Sequence, residues 1–85
     1  MPYWLYVIKS ESTGRYYVGS TGDLPDRLCR HNASRSAATK NRGPWRVVYT
    51  EEFVSRQAAV ARERQIKAQK SRAYLETLVR AARVG

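Results

Sequence analysis

The chain predicts a small α+β domain: a three-stranded antiparallel sheet flanked by helices, in the order β-β-α-β-α-α. Three observations carry this. Trp4 to Ser20, WLYVIKSESTGRYYVGS, is two short runs of aromatic and β-branched residues joined by Glu-Ser-Thr-Gly, the pattern of a β-hairpin. Trp45 to Phe53, WRVVYTEEF, repeats that chemistry as a third strand. Elsewhere apolar residues recur at helical spacing behind serine or aspartate caps. With 85 residues, 42% of them hydrophobic, there is material for one core, and residues 1–85 are read as one domain.

On the hairpin, side chains alternate between faces, so Trp4, Tyr6 and Ile8 share one side. Tyr17 and Gly19 share a side on the second run. Pairing that aligns Tyr6 with Tyr17 brings two phenols together beside a glycine. Thr21-Gly22-Asp23 then turns into a helix, Leu24 to Asn32, with Asp23 as N-cap and Pro25 in the first turn, where its missing N–H costs nothing. Leu24, Leu28 and His31 form its apolar stripe, and Arg27 stands one turn before His31 on the same side. Residues 33 to 44, ASRSAATKNRGP, read as a loop. It is suited either to lie along a phosphate backbone or to act as a plain connection. In the third strand, Val47-Val48-Tyr49 predicts burial on both faces. Ser55 caps a helix from Arg56 to Ala68 whose apolar arc of Ala59, Val60 and Ile66 also contains Glu63. Ser71 caps a last helix, Arg72 to Arg83, burying Tyr74, Leu75, Leu78, Val79 and Ala82.

The formal charge of +9 points to a polyanionic partner, nucleic acid first and an acidic membrane surface second. Between Asp26 and Glu51 there is no acidic residue, while Arg27, Arg30, Arg35, Lys40, Arg42 and Arg46 all fall there. Such a patch gains phosphate affinity by releasing counterions. Arg30, Arg35, Lys40 and Arg42 are the expected nucleic-acid contacts. The single cysteine, Cys29, makes neither an internal disulfide nor a zinc site and is expected to be partly buried filler. There is no secretory signal pattern and no apolar run near the roughly 20 residues that span a bilayer, so a cytoplasmic protein without membrane attachment is the expectation.

Arranged in this order, these residues resemble the GIY-YIG nuclease superfamily, specifically its small stand-alone bacterial members. The GIY position reads Trp4-Leu5-Tyr6 and the YIG position Tyr17-Val18-Gly19. Arg27 and His31 match the family's Arg-x-x-x-His/Tyr helix, and Glu63 falls where the family places its metal-binding glutamate. The likeness covers nearly the whole chain. Two departures stand out: the first motif lacks its glycine, and Ser20 replaces a lysine that in the repair incision nucleases sits near the catalytic tyrosine. A substitute cation would have to come from elsewhere, such as Lys40.

The resemblance implies an endonuclease hydrolysing DNA, structure- or context-selective, in a repair or recombination setting and with no small-molecule cofactor. It also implies one Mg²⁺ or Mn²⁺ held by Glu63, with water and phosphate oxygens completing the shell. Arg27 would bind the non-bridging oxygens through its planar fork. Tyr6 would take the proton of the attacking water and His31 would accept or relay it, with Tyr17 positioning water or phosphate or exchanging roles with Tyr6. A free phenol, with a pKa of about 10, needs nearby cations to act so near neutrality. Each residue also has an ordinary reading: tyrosines that suit a sheet, an arginine snorkelling at a helix rim, a Glu63–Lys67 pair at i,i+4. Two other functions stay open, a non-catalytic nucleic-acid-binding module on a nuclease scaffold and a basic ribonucleoprotein component. The hydrolytic reading requires both phenols, Arg27, His31 and Glu63 to meet in one open pocket.

Overall fold

In the computed structural model, which describes residues 2–32 and 44–84, the elements follow the expected order. They are β1 (Tyr3–Ser10), β2 (Tyr16–Thr21), α1 (Leu24–Asn32), β3 (Trp45–Phe53), α2 (Arg56–Ala68) and α3 (Arg72–Val84). The sheet is antiparallel throughout with strand order β2-β1-β3, so β2 is an edge. That edge is where the candidate site forms.

Register sorts the side chains onto two faces. Tyr6 pairs with Gly19 and Ile8 with Tyr17, which puts Tyr6, Ile8 and Tyr17 on one side with Trp45 and Val47, under Leu24 and Leu28 of α1. The opposite side carries Leu5, Val7 and Val18, packed beneath Ile66 of α2 and Tyr74, Leu75 and Leu78 of α3. Leu5, Val7 and Ile8 are fully buried. The central strand is therefore covered on both faces, as its unbroken apolar run requires. The expected two-faced packing of Val47-Val48-Tyr49 has a specific cause. Val7 pairs with Tyr49 but Ile8 with Val47, so Val48 is a bulged residue and joins Tyr49 on the α2–α3 side while Val47 faces α1.

The helix starts are built as the caps predict. Asp23 accepts from the Asp26 amide (3.1 Å), Ser55 from Ala58 (3.2 Å) and Ser71 from Tyr74 (3.2 Å). Asn32, at the end of α1, exchanges two hydrogen bonds with the Trp45 backbone, fixing the helix end to the start of β3. A second tie joins β3 to α2: Arg62 donates to both oxygens of Glu51, which also accepts from the Tyr49 hydroxyl. Burial alone would raise the Glu51 pKa; the hydrogen bonds from Arg62 and Tyr49 outweigh it and hold the carboxyl below its ordinary value. Cys29 departs from expectation. It is exposed, because it lies on α1 away from the stripe of Leu24, Leu28 and His31 that meets the sheet.

Candidate active site

Gly19 is the local reason a site can form on the sheet edge. Tyr6 projects from the central strand across Gly19, and a Cβ there would lie 2.5 Å from the Tyr6 hydroxyl oxygen. Only a residue without a side chain lets the phenol pass. The hydroxyl meets Nε2 of His31 at 2.9 Å, and both side chains are buried, 1% and 2% exposed. Tyr17 adds its ring edge-on to His31, 5.0 Å between centroids, and stays half-buried. Arg27, one turn before His31 on α1, is near enough for its charge to act on both Tyr6 and His31.

The protonation states follow from burial and charge. Burial, with Tyr17 beside it, raises the Tyr6 pKa well above the ordinary phenol value, and the nearby Arg27 cation offsets only part of this. Burial also lowers the His31 pKa, and Arg27 lowers it further. Both groups are therefore neutral at neutral pH. The Tyr6 hydroxyl and Nε2 of His31 share one hydrogen bond, the phenol donating when the imidazole proton is on Nδ1 and accepting when it is on Nε2. The depressed phenol expected from surrounding cations is not the resting state of this fold, because desolvation outweighs a single guanidinium.

Glu63 arrives from the opposite face. It belongs to α2, which packs over Leu5, Val7 and Val18, whereas Tyr6 lies under α1, the helix that carries His31. What joins the two is the edge strand. Ser20, next to Gly19, donates to Oε1 of Glu63 at 2.7 Å, and the Glu63 charge contributes to the rise in the Tyr6 pKa. The single open pocket expected for both phenols, Arg27, His31 and Glu63 is therefore not what forms. Phenols, guanidinium and imidazole lie on one side of β2 and the carboxylate on the other, because α1 and α2 cover opposite faces, and only Gly19-Ser20 at the edge joins them.

Two residues acquire roles that their sequence positions did not suggest. Ser20 stands where a lysine was expected, and it orients the acid. A cation reaches the same edge from α2. Lys67 reaches Oε2 of Glu63 at 2.6 Å and holds its ammonium 5.7 Å from the Tyr17 ring centroid. Its i,i+4 spacing from Glu63 was the available signal, but only the packing of α2 on the edge strand aims it at Tyr17. Lys40, the substitute expected from sequence, lies outside the described residues, as do Arg35 and Arg42. Arg30 is exposed on α1 and pairs with Asp26 at 3.0 Å.

Glu63 is also where a divalent ion would be held. Among the described residues no group of three or more His, Cys, Asp or Glu converges as a metal cage. A lone carboxylate on an edge suits an ion that keeps most of its waters and takes its other oxygens from substrate, which is the habit of Mg²⁺. Lys67, about half exposed, is the group that would have to swing aside.

The β-β-α-β-α-α frame, with two tyrosines, an arginine and a histidine on one side of its edge strand and a glutamate on the other, is that of a nuclease-type domain. Residues 2–76 match the model of the GIY-YIG catalytic domain, and the chain belongs to that family. Its relatives are UPF0213 proteins. One from Halobacterium salinarum is 44% identical over 75 residues, covering 87% of this chain and 95% of that protein. Another, from Streptococcus pneumoniae, is 34% identical over 68 residues, 79% of this chain and 68% of that one. The solution structure of the UPF0213 protein BH0048 from Bacillus halodurans superposes with a TM-score of 0.59 at 32% identity, covering 95% of this chain and 85% of that one. The archaeal relative shows that this small type extends beyond bacteria. Among the described residues no helix is long and apolar enough to cross a membrane.

Proposed function

We propose that the chain is a divalent-metal-dependent endonuclease that hydrolyses DNA phosphodiester bonds, selecting by structure or context, as a repair or recombination substrate would require. The observation that carries this reading is the Tyr6 hydroxyl passing over bare Gly19 to meet His31, one residue from the Ser20 that orients Glu63.

Arg27 and Tyr17, both half-buried, are the groups that meet the substrate: the guanidinium binds non-bridging phosphate oxygens and Tyr17 orients water or phosphate. The buried Tyr6 serves only a water held beside it with the phosphate. As that water loses its proton to the phenol oxygen, the phenol passes its own proton to Nε2 of His31. No free phenolate is needed, so the raised phenol pKa and the lowered imidazole pKa are compatible with the relay. Glu63 would hold the metal, which when bound supplies Lewis-acid stabilisation of the leaving oxygen.

The direct test is incubation of purified protein with nicked, branched and single-stranded DNA in Mg²⁺ or Mn²⁺. Metal-dependent cutting that disappears in Glu63→Ala is the expected result; cutting that persists undiminished in that variant refutes the assignment. A second reading, a nucleic-acid-binding module without turnover, is favoured by the Lys67 ammonium already seated on Glu63. It predicts salt-sensitive binding and no metal-dependent cleavage of any of these substrates.

A further inference from the structure

Beside Tyr17 and Lys67 a groove of about 460 Å³ runs away from Tyr6 and His31, between the outer edge of β2 and the turn that joins α2 to α3. Its inner wall is apolar, made by Val18, Ile66 and Leu75. Tyr17, half-buried and edge-on to His31, lines the groove where it adjoins the catalytic constellation, and half-buried Tyr16, packed with the α2–α3 cluster, lines it from the other face of β2. Four cations and no acid line it: Arg15, Lys67, Lys70 and Arg72. Lys67 and Arg72 are engaged by Glu63 and Glu76, while among the described residues no ion pair engages Arg15 or Lys70. None of these four belongs to the basic stretch between Asp26 and Glu51.

Lys70 has a backbone reason to be noticed. It sits in the α2–α3 turn at φ 48°, the left-handed conformation that glycine adopts freely and a lysine does not. The strained position puts a cationic side chain on the groove lining. Arg72 does the same from the start of α3, its guanidinium 5.5 Å from the centroid of the Tyr16 ring.

We propose that this groove is a second nucleic-acid subsite, holding the unpaired strand that flanks the scissile phosphate. The proposal rests on the nuclease reading for its placement and deepens it by naming the substrate class. Phosphates meet Arg15, Lys70 and Arg72, and one base enters the apolar interior against the tyrosine rings. A paired base cannot do this, because its faces are already stacked and its edge is occupied. The absence of any acid in the lining favours a polyanion, and the aromatic, apolar interior favours a planar base over a carboxylate chain.

The test is binding of a labelled oligothymidylate in chelator, across a range of salt, by wild-type protein and by the R15Q/K70G double variant. Glycine at position 70 suits the left-handed turn, so this variant is expected to melt no lower than wild type. Its affinity should fall about ten-fold, and the slope of log K against log salt should flatten by about 1.4, the loss of two phosphate contacts on a single strand. An abasic strand of the same length, and a blunt duplex, should bind wild type several-fold more weakly than the oligothymidylate. Equal binding by the variant overturns the proposal. So does equal binding of the abasic strand, or polyglutamate competing as well as the oligonucleotide. Because no metal is present, the outcome is independent of turnover. A chain that binds this way but never cuts keeps the groove and loses the nuclease reading; one that cuts while R15Q/K70G binds undiminished does the reverse.

Discussion

A methyl group at Gly19 would meet the Tyr6 hydroxyl oxygen at 2.5 Å and the ring carbon that bears it at 2.7 Å, and the Tyr6 side chain is too buried to swing clear. Gly19→Ala should therefore cost about 1–3 kcal/mol by overpacking and displace the phenol from His31, seen as a lower melting temperature and a shifted His31 imidazole resonance. His31 gives a pH signature. Its folded pKa lies below the ordinary histidine value, so the unfolded chain binds the proton more readily. That contribution to stability is full above about pH 6.5 and is lost as pH falls through the folded pKa. The melting temperature should decline over that window in wild type and less steeply in His31→Gln, and the acid limb of cleavage should lie below pH 6.5. Lys67 competes with any ion at Glu63. Lys67→Met should tighten Mn²⁺ binding about five-fold, roughly 1 kcal/mol for a half-exposed charge, measured by calorimetry; unchanged affinity would mean that Lys67 does not gate the carboxylate.

Among the elements, β3 and α2 are joined by the Glu51–Arg62 pair, which is about one-fifth exposed on either side and reinforced by Tyr49. Arg62→Met should lower stability by about 1.5–3 kcal/mol, the range for a hydrogen bond to a charged group, read by urea unfolding. The element pattern was largely legible in the sequence because its signals are local. Asp23, Ser55 and Ser71 announce helix starts by chemistry that acts within one turn, and the aromatic and β-branched runs announce strands. The bulge at Val48 was not legible, since it is a property of pairing between β1 and β3 rather than of either strand. Cys29 was misplaced for a related reason: its residue type favours burial, but its position on α1 turns it outward. Lys67 looked like half of a helix-surface ion pair, and it is one; its second role above Tyr17 exists only once α2 lies on the edge strand.

At the scale of the whole molecule, the site is assembled by an edge rather than inside a face. Two helical layers cover opposite sides of a three-stranded sheet, and their polar residues meet where β2 narrows to Gly19-Ser20. The family was legible in the sequence through the order of its motifs, and the match over residues 2–76 bears that out. The sequence did not show that the acid and the phenols come from different layers, nor that burial leaves Tyr6 neutral.

The claim that these layers make one catalytic centre is tested by comparing metal-dependent cleavage of nicked DNA by Tyr6→Phe and Glu63→Gln proteins, each checked for an unaltered fold by its spectrum. The account predicts that each substitution, one on either side of the edge strand, lowers the single-turnover rate at least about a hundred-fold, the scale expected when a proton-transfer or charge-stabilising group is lost. A full rate in either variant would contradict it.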